Sequence, residues 1–204
     1  AVLRGGQLGV VGTKDVVRAI ASGADLDEPA INYAHKVPCV NMNNPVTEVF
    51  TVIESFNTKA VPICNDLGEV VGIIDERELL NERLTLKGVL RKKVAVRLSV
   101  YDAAVKKPVT ITPDRTLREA ARMMAGNNIG FLPIVDEERL VGVISESDIV
   151  RLVAEGVDLD KPVIEYAKVK PFTVRRDDTL RDAADVMIRN NVRHLPVIDG
   201  DRVV

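Results

Sequence analysis

From Pro108 onward the apolar positions change period in a fixed order. PVTIT, residues 108–112, is short and rich in β-branched residues, which predicts a strand. Leu117, Ala120, Ala121 and Met124 then recur at helical spacing. Thr116 stands before that run with Glu119 three positions on, the pattern of a capping box. Asn127-Asn128 should end the helix, because asparagine tolerates the left-handed conformation there. FLPIVD predicts a strand, EERL a turn and LVGVIS a second strand. DIVRLVAEG is helical again and closes at Gly156. The unit is β-α-β-β-α. It is too small to bury its own apolar faces, so adjacent units are expected to pack face to face.

The unit recurs. RRDDTLRDAADVMIRNNVRHLPVIDGDRVV, residues 175–204, repeats its first part, with Thr179, Asp182 and Asn190-Asn191 in the capping places. NMNNPVTEVFTVIESFNTKAVPICNDLGEVVGIIDERE, residues 41–78, is a more divergent copy. Leu117 to Pro133, Leu180 to Pro196 and Val46 to Pro62 span the same distance. A longer match sets DVVRAIASGADLDEPAINYA, from Asp15, against DIVRLVAEGVDLDKPVIEYA, from Asp148, with every pair 133 positions apart. RGGQLGVVGTKD, from Arg4, is the end of a further copy.

The LPI and LPV strands, the glycine of VVG and LVG, and the hydroxyl-x-x-acid step after it resemble the CBS domain, named after cystathionine β-synthase. The resemblance covers nearly the whole chain. It implies an α+β fold of tandem CBS repeats paired into Bateman modules. Four copies in one chain are similar to the architecture of the AMP-activated protein kinase γ subunit and its archaeal relatives. The expected boundaries are 1–36 for the end of the first copy, 37–95 for the second, 96–107 for a connector, 108–168 for the third and 169–204 for the start of the fourth. The first copy begins near its second strand and the fourth stops before its glycine, so either a longer parent protein or trimmed flexible ends are expected.

The junction VISESDIV, residues 143–150, joins a strand to a helix with two hydroxyls and a carboxylate. Free backbone N–H groups and the helix dipole attract phosphate there. A carboxylate one turn in can accept both hydroxyls of a ribose, and Ser145 and Ser147 can donate to phosphate or sugar. By themselves these residues fit an ordinary N-cap better than a ligand site. The resemblance favours the ligand, since in CBS domains this step binds ribose and phosphate. It also implies Arg193 and His194, before the fourth copy's LPV strand, as phosphate ligands, and Val143, Lys170, Phe172 and Val192 as the adenine side. In the first copy Thr13 and Asp15 keep part of the step while Gly12 has lost its first hydroxyl. With Lys59 they form a second, altered site. The second copy has Asp75, Glu76, Arg77 and Glu78, and Asp75 would repel phosphate.

The resemblance therefore implies a regulatory module for an adenine nucleotide (AMP, ADP or ATP) that passes a signal to a protein partner. No obligatory cofactor and no metal are expected; a homodimer and an intramolecular disc both fit the family, and the paired modules favour the intramolecular form. Two other readings stay open: a ligand-free structural or dimerisation module, and a site for another adenosyl ligand such as S-adenosylmethionine. Catalysis is not expected. GVVGTK inverts the order that a phosphate-binding P-loop needs, and no nucleophile or metal motif occurs. Asp25-Leu26-Asp27 and Asp158-Leu159-Asp160 read as turn chemistry.

Composition narrows the partners. A net charge of −2 argues against nucleic acid. The local basic run Lys87, Arg91, Lys92, Lys93, Arg97, Lys106 and Lys107 has Tyr101 as its only aromatic and reads as a solvated connector. No apolar run reaches transmembrane length, so no membrane partner is expected. At 204 residues the chain can bury roughly 70% of its unfolded surface without disulfides. Cys39 and Cys64 read as isolated thiols in a reducing cytoplasm.

Overall fold

A computed structural model describes residues 2–4, 7–75, 79, 99–105 and 107–204. The chain divides into two units, Ala1–Ala19 with Asp25–Ala95, and Ile20–Ala24 with Val96–Val204. Glu76, Arg77 and Glu78 of the second copy's junction lie outside the described residues, as do Lys87, Arg91, Lys92, Lys93, Arg97 and Lys106.

In the first unit β1 (Val2–Arg4), β2 (Gln7–Val10) and β3 (His35–Lys36) form an antiparallel sheet in that order. Helix α1 (Thr13–Ser22) and a 3-10 turn at Ala30–Tyr33 lie between β2 and β3 in the chain. A second sheet has the order β4 (Val40–Asn41), β5 (Ala60–Cys64), β6 (Val70–Asp75), with α2 (Val46–Phe56) connecting β4 to β5. Two strands separated by a helix pair in parallel, and the tight β5–β6 hairpin pairs antiparallel. Val10, Val37, Val40, Val49, Val52, Val61 and Leu79 are the buried core beneath.

The pairing of β4 with β5 corrects the expectation of isolated thiols. Asn41 lies opposite Cys64, and Cys39, just ahead of β4, joins Cys64 in a disulfide with Cα atoms 5.9 Å apart. That separation is ordinary for the bond. A sequence separation of 25 hides the pairing, because it depends on a parallel strand contact across a helix.

In the second unit α3 (Val100–Ala103) precedes the third copy. That copy contains α4 (Leu117–Asn127), β7 (Phe131–Asp136), β8 (Arg139–Ser145) and α5 (Glu146–Ala154). After a 3-10 turn at Val163–Glu165, the fourth copy supplies β9 (Val174–Arg175), α6 (Leu180–Asn190), β10 (Val197–Asp199) and β11 (Arg202–Val203). The strand order is β7-β8-β11-β10-β9. Copies three and four are thus joined along strand edges, with Arg139 opposite Arg202 and the Leu140 N–H donating to the Asp201 carbonyl. Face-to-face packing was the expectation. The edge joint satisfies backbone groups that a short edge strand would leave unpaired.

Local chemistry follows the sequence closely. Thr116 and Thr179 are N-caps with complete capping boxes to Glu119 and Asp182. Asn57, Asn128 and Asn191 end α2, α4 and α6 in the left-handed conformation, with φ of 48°, 56° and 52°. Both complete hairpins shift register at matching places, Ile63/Cys64 and Ile134/Val135. The Asp-Leu-Asp pairs are turns: the Asp27 and Asp160 N–H groups donate to the carboxylates of Asp25 and Asp158. Instead of a strand, PVTIT gives a single bridge from Ile111 to Ile134. Its neighbour Thr112 turns its hydroxyl to Asp114 at 2.5 Å, and Pro108 has no N–H to donate.

The capping boxes carry a pH signature. Hydrogen bonds from the Thr116 backbone and the Arg115 guanidinium hold the Glu119 carboxyl below its usual range, and bonds from Thr179 do the same for Asp182. A depressed folded-state value means that the stabilisation is present above the unfolded value and is lost as pH falls through the folded one. Glu119→Gln should therefore unfold at lower urea than the parent at neutral pH. The two midpoints should converge below about pH 4. Urea titrations at several pH values check this, and a constant difference down to about pH 3 would contradict it.

Candidate functional site

The third copy's junction is built by its own hairpin. Phe131 sits opposite Ser145 across β7 and β8, and Pro133 opposite Val143. The strand ends at Ser145, which caps α5. Its hydroxyl donates to Asp148 Oδ2 at 2.5 Å and its backbone N–H donates to the same oxygen at 3.0 Å. The Asp148 N–H closes the box onto Ser145 Oγ at 3.4 Å. Asp148 is only 8% exposed. Its other oxygen, Oδ1, faces Lys168 Nζ at 3.4 Å.

This geometry changes the expectation for phosphate, which rests on free amides at the start of α5. Of the four amides from Ser145 to Asp148, three are engaged: Ser145 with Asp148, Glu146 with the Gly130 carbonyl at 3.0 Å, and Asp148 with Ser145. Internal capping has taken the donors, so attraction for an anion must come mainly from side-chain cations.

The structure brings several expected residues to this junction and leaves others at its margin. Val143 is buried in β8 and bridges Lys168, with the backbone N–H of each donating to the carbonyl of the other. Lys170 and Phe172 come next on that segment, and Phe172 is 51% exposed, so it is not core. Ser147 is exposed in the first turn of α5. The His194 ring stacks on Phe131, centroids 5.1 Å apart at 17°, which places the fourth copy's basic pair beside the strand partner of Ser145. Arg193 and Val192 are half-buried just before it, and the Val192 N–H closes the α6 cap onto the Met187 carbonyl. His194, expected as a phosphate ligand, gives one ring face to Phe131.

Phe131 and Lys168 were missed. Phe131 stands 63 positions before His194, so the repeat itself pairs the two. Lys168 occupies the position 133 residues after His35, and nothing in either side chain alone marks it.

The first copy repeats the arrangement. The Gly12 N–H donates to Asp15 Oδ2 at 2.8 Å, and Asp15 is buried. Thr13 opens α1. His35 Nδ1 lies 3.1 Å from Asp15 Oδ2, but off the line a hydrogen bond needs, so both ring nitrogens are buried without a hydrogen-bond partner. Lys59 is half-buried immediately before β5 and three positions ahead of Pro62, as Arg193 stands three positions ahead of Pro196. In the second copy Asp75 lies opposite Ala60, the register Ser145 has opposite Phe131, so an acid does replace the capping serine there.

Among the described residues, no helix is long and apolar enough to cross a membrane, and no group of three or more His, Cys, Asp or Glu could hold a metal ion.

Comparison with known proteins agrees with this architecture. The chain is 35% identical over 138 residues to the uncharacterised protein MJ1232 of Methanocaldococcus jannaschii, covering 67% of this chain and 44% of that protein. It spans about half the length of the curated relatives it matches. The crystal structure of MJ1225 from the same organism, proposed as an archaeal homologue of g-AMPK, superposes over 96% of this chain and 78% of its own. The TM-score is 0.78 and the identity 23%, a likeness of fold. The CBS domain protein PAE2072 of Pyrobaculum aerophilum, solved in complex with AMP, is 33% identical with a TM-score of 0.50, over 52% of this chain and 84% of its own. The CBS domain model matches residues 31–85, 100–155 and 163–204, most of the chain. Repeated hairpins, paired copies and matched segments together place this chain in the CBS-domain family.

Proposed function

We propose that the chain is a regulatory module that takes an adenine nucleotide at the junction of β8 and α5, completed by Arg193 of the fourth copy. We read the copies as 1–36, 37–95, 108–168 and 169–204, with a connector over 96–107. The observation that carries the reading is the Asp148 carboxylate: buried, fixed in orientation by its capping box, and with Oδ1 facing, among the described residues, a flexible lysine. A ribose diol can displace an exposed ammonium from such a carboxylate, because the pair it breaks is worth little. Val143, Phe172 and Lys170 give the base an apolar strand end and an exposed aromatic, and Ser147 remains for sugar or phosphate. The AMP bound by PAE2072 supports an adenosyl ligand for a related pair of copies.

The preferred ligand is AMP, then ADP or ATP. Thr13, Asp15 and Lys59 form a second, weaker site. Ligand binding changes a partner protein's activity only through unequal affinity for two states of the module. A regulated partner, a homodimer and a cytoplasmic location belong to this reading, and no catalytic step does. With the disulfide formed, location no longer rests on the cysteines.

A second reading, a structural module without ligand, is favoured by one observation, the capping box that already satisfies Asp148 Oδ2. Thermal unfolding with AMP, ADP, ATP, GTP, S-adenosylmethionine and NADH separates the two. A ligand at about a hundred times its dissociation constant adds about 2.7 kcal/mol. For a chain of this length that raises the melting temperature by roughly 5–10 °C. A flat panel would leave the structural module. A shift with S-adenosylmethionine alone would keep the site and change the ligand.

A further inference from the structure

The first and third copies, whose junctions both keep the acid, place a base against it from the same position of the repeat. In the third copy the base is Lys168, 3.4 Å from Asp148. In the first it is His35, 3.1 Å from Asp15. The likeness extends to the backbone. Lys168 bridges Val143 and His35 pairs with Val10, the last position of β2. The glycine before each of those valines lets the segment approach. A Cβ at Gly142 would stand 3.2 Å from the Ala167 Cβ and 3.3 Å from the Lys168 carbonyl, and one at Gly9 only 2.8 Å from the Ala34 Cβ. Each close approach therefore fixes where the base begins. Beyond the backbone the two side chains differ. Lys168 is 65% exposed on a flexible stem, whereas His35 is shorter and its ring nitrogens are buried.

We infer that this position determines whether each site prefers a phosphorylated ligand, Lys168 conferring that preference on the third copy and His35 withholding it from the first. The inference rests on the adenine-nucleotide reading above. Without ligand, Lys168 neutralises Asp148. When the ribose diol takes the carboxylate, the ammonium is released one sugar away from the 5′-phosphate, within the sweep of its four-carbon stem. Because three of the four amides at the start of α5 are engaged, Lys168 and Arg193 supply the positive charge there. His35 is too short to make the same turn and its ring nitrogens are buried, so the first copy lacks that contribution.

The test is calorimetric titration of the whole chain with adenosine and with AMP. Asp15→Asn isolates the third site and Asp148→Asn the first. Lys168→Gln should lower the AMP-over-adenosine preference of the third site about two- to fivefold, the upper range for one solvent-exposed ion pair, while adenosine affinity is kept. His35→Lys should raise the preference of the first site by a similar factor. Melting temperatures confirm that each variant is folded. Equal loss of both ligands in Lys168→Gln would make the residue structural and overturn the inference, as would an unchanged ratio. A first site that stays indifferent to phosphate in His35→Lys overturns the His35 half. If the parent chain binds neither adenosine nor AMP, the underlying reading falls and this one with it. If it binds both and only the ratios fail to move, this one falls alone.

Discussion

Asp148→Asn is expected to weaken AMP binding by about 10- to 100-fold while leaving the chain folded. The carboxylate accepts charge-assisted bonds from the ribose diol, each worth about 1.5–3 kcal/mol, and an amide offers one neutral acceptor in its place. The same substitution disturbs the helix cap less. An asparagine oxygen can still take the Ser145 N–H that now reaches Oδ2 at 3.0 Å, so stability should change by no more than about 1 kcal/mol. Ser145→Ala is the informative companion. It removes the hydroxyl that caps α5 and holds Asp148, so it should lower stability by about 1 kcal/mol and AMP affinity only severalfold. Titration calorimetry with AMP, beside melting curves, reads both quantities. A folded Asp148→Asn chain with unchanged AMP affinity would show that the ligand binds elsewhere, and the sugar-gripping role would have to be abandoned.

Met124→Ala should lower the stability of the second unit by about 2–5 kcal/mol, the range for truncating a fully buried methionine. Met187→Ala, the same change at the equivalent place of the fourth copy, should have clearly less effect because that side chain is only half-buried. In the same copy as Met124, Leu117, Leu132, Ile134, Ile144, Ile149 and Leu152 are buried almost completely. The cluster beneath α6 comprises Val100, Val174, Ala183 and Val197, with Leu180, Val186, Leu195 and Val204 only partly covered. A cavity in the dense core cannot collapse easily, whereas one at a looser margin can fill with solvent or neighbours. Urea unfolding of the two variants checks the contrast. Equal losses would mean that the copies are packed alike in solution.

The two methionines also show where sequence reading stops. Both stand in one register of one repeat, and periodicity assigns them the same role. Thr116 with Glu119 and Thr179 with Asp182 were legible because a capping box is closed within four residues. The left-handed asparagines and the hairpin strands were legible for the same reason. Asp148 was legible as a cap and, through the family resemblance, as a candidate site.

Apart from the PVTIT segment, the sequence alone therefore determined the elements of the third copy, their caps, the repeat and the family. These depend on contacts a few residues apart, or on the recurrence of a pattern. Only the tertiary structure decided that Cys39 meets Cys64, that Phe131 stacks on His194, that β8 joins β11, and that Lys168 and His35 turn to the two acids. Each of those contacts links residues separated by at least one whole element. Periodicity says which face a side chain occupies, but strand pairing and close glycine approach choose what it meets.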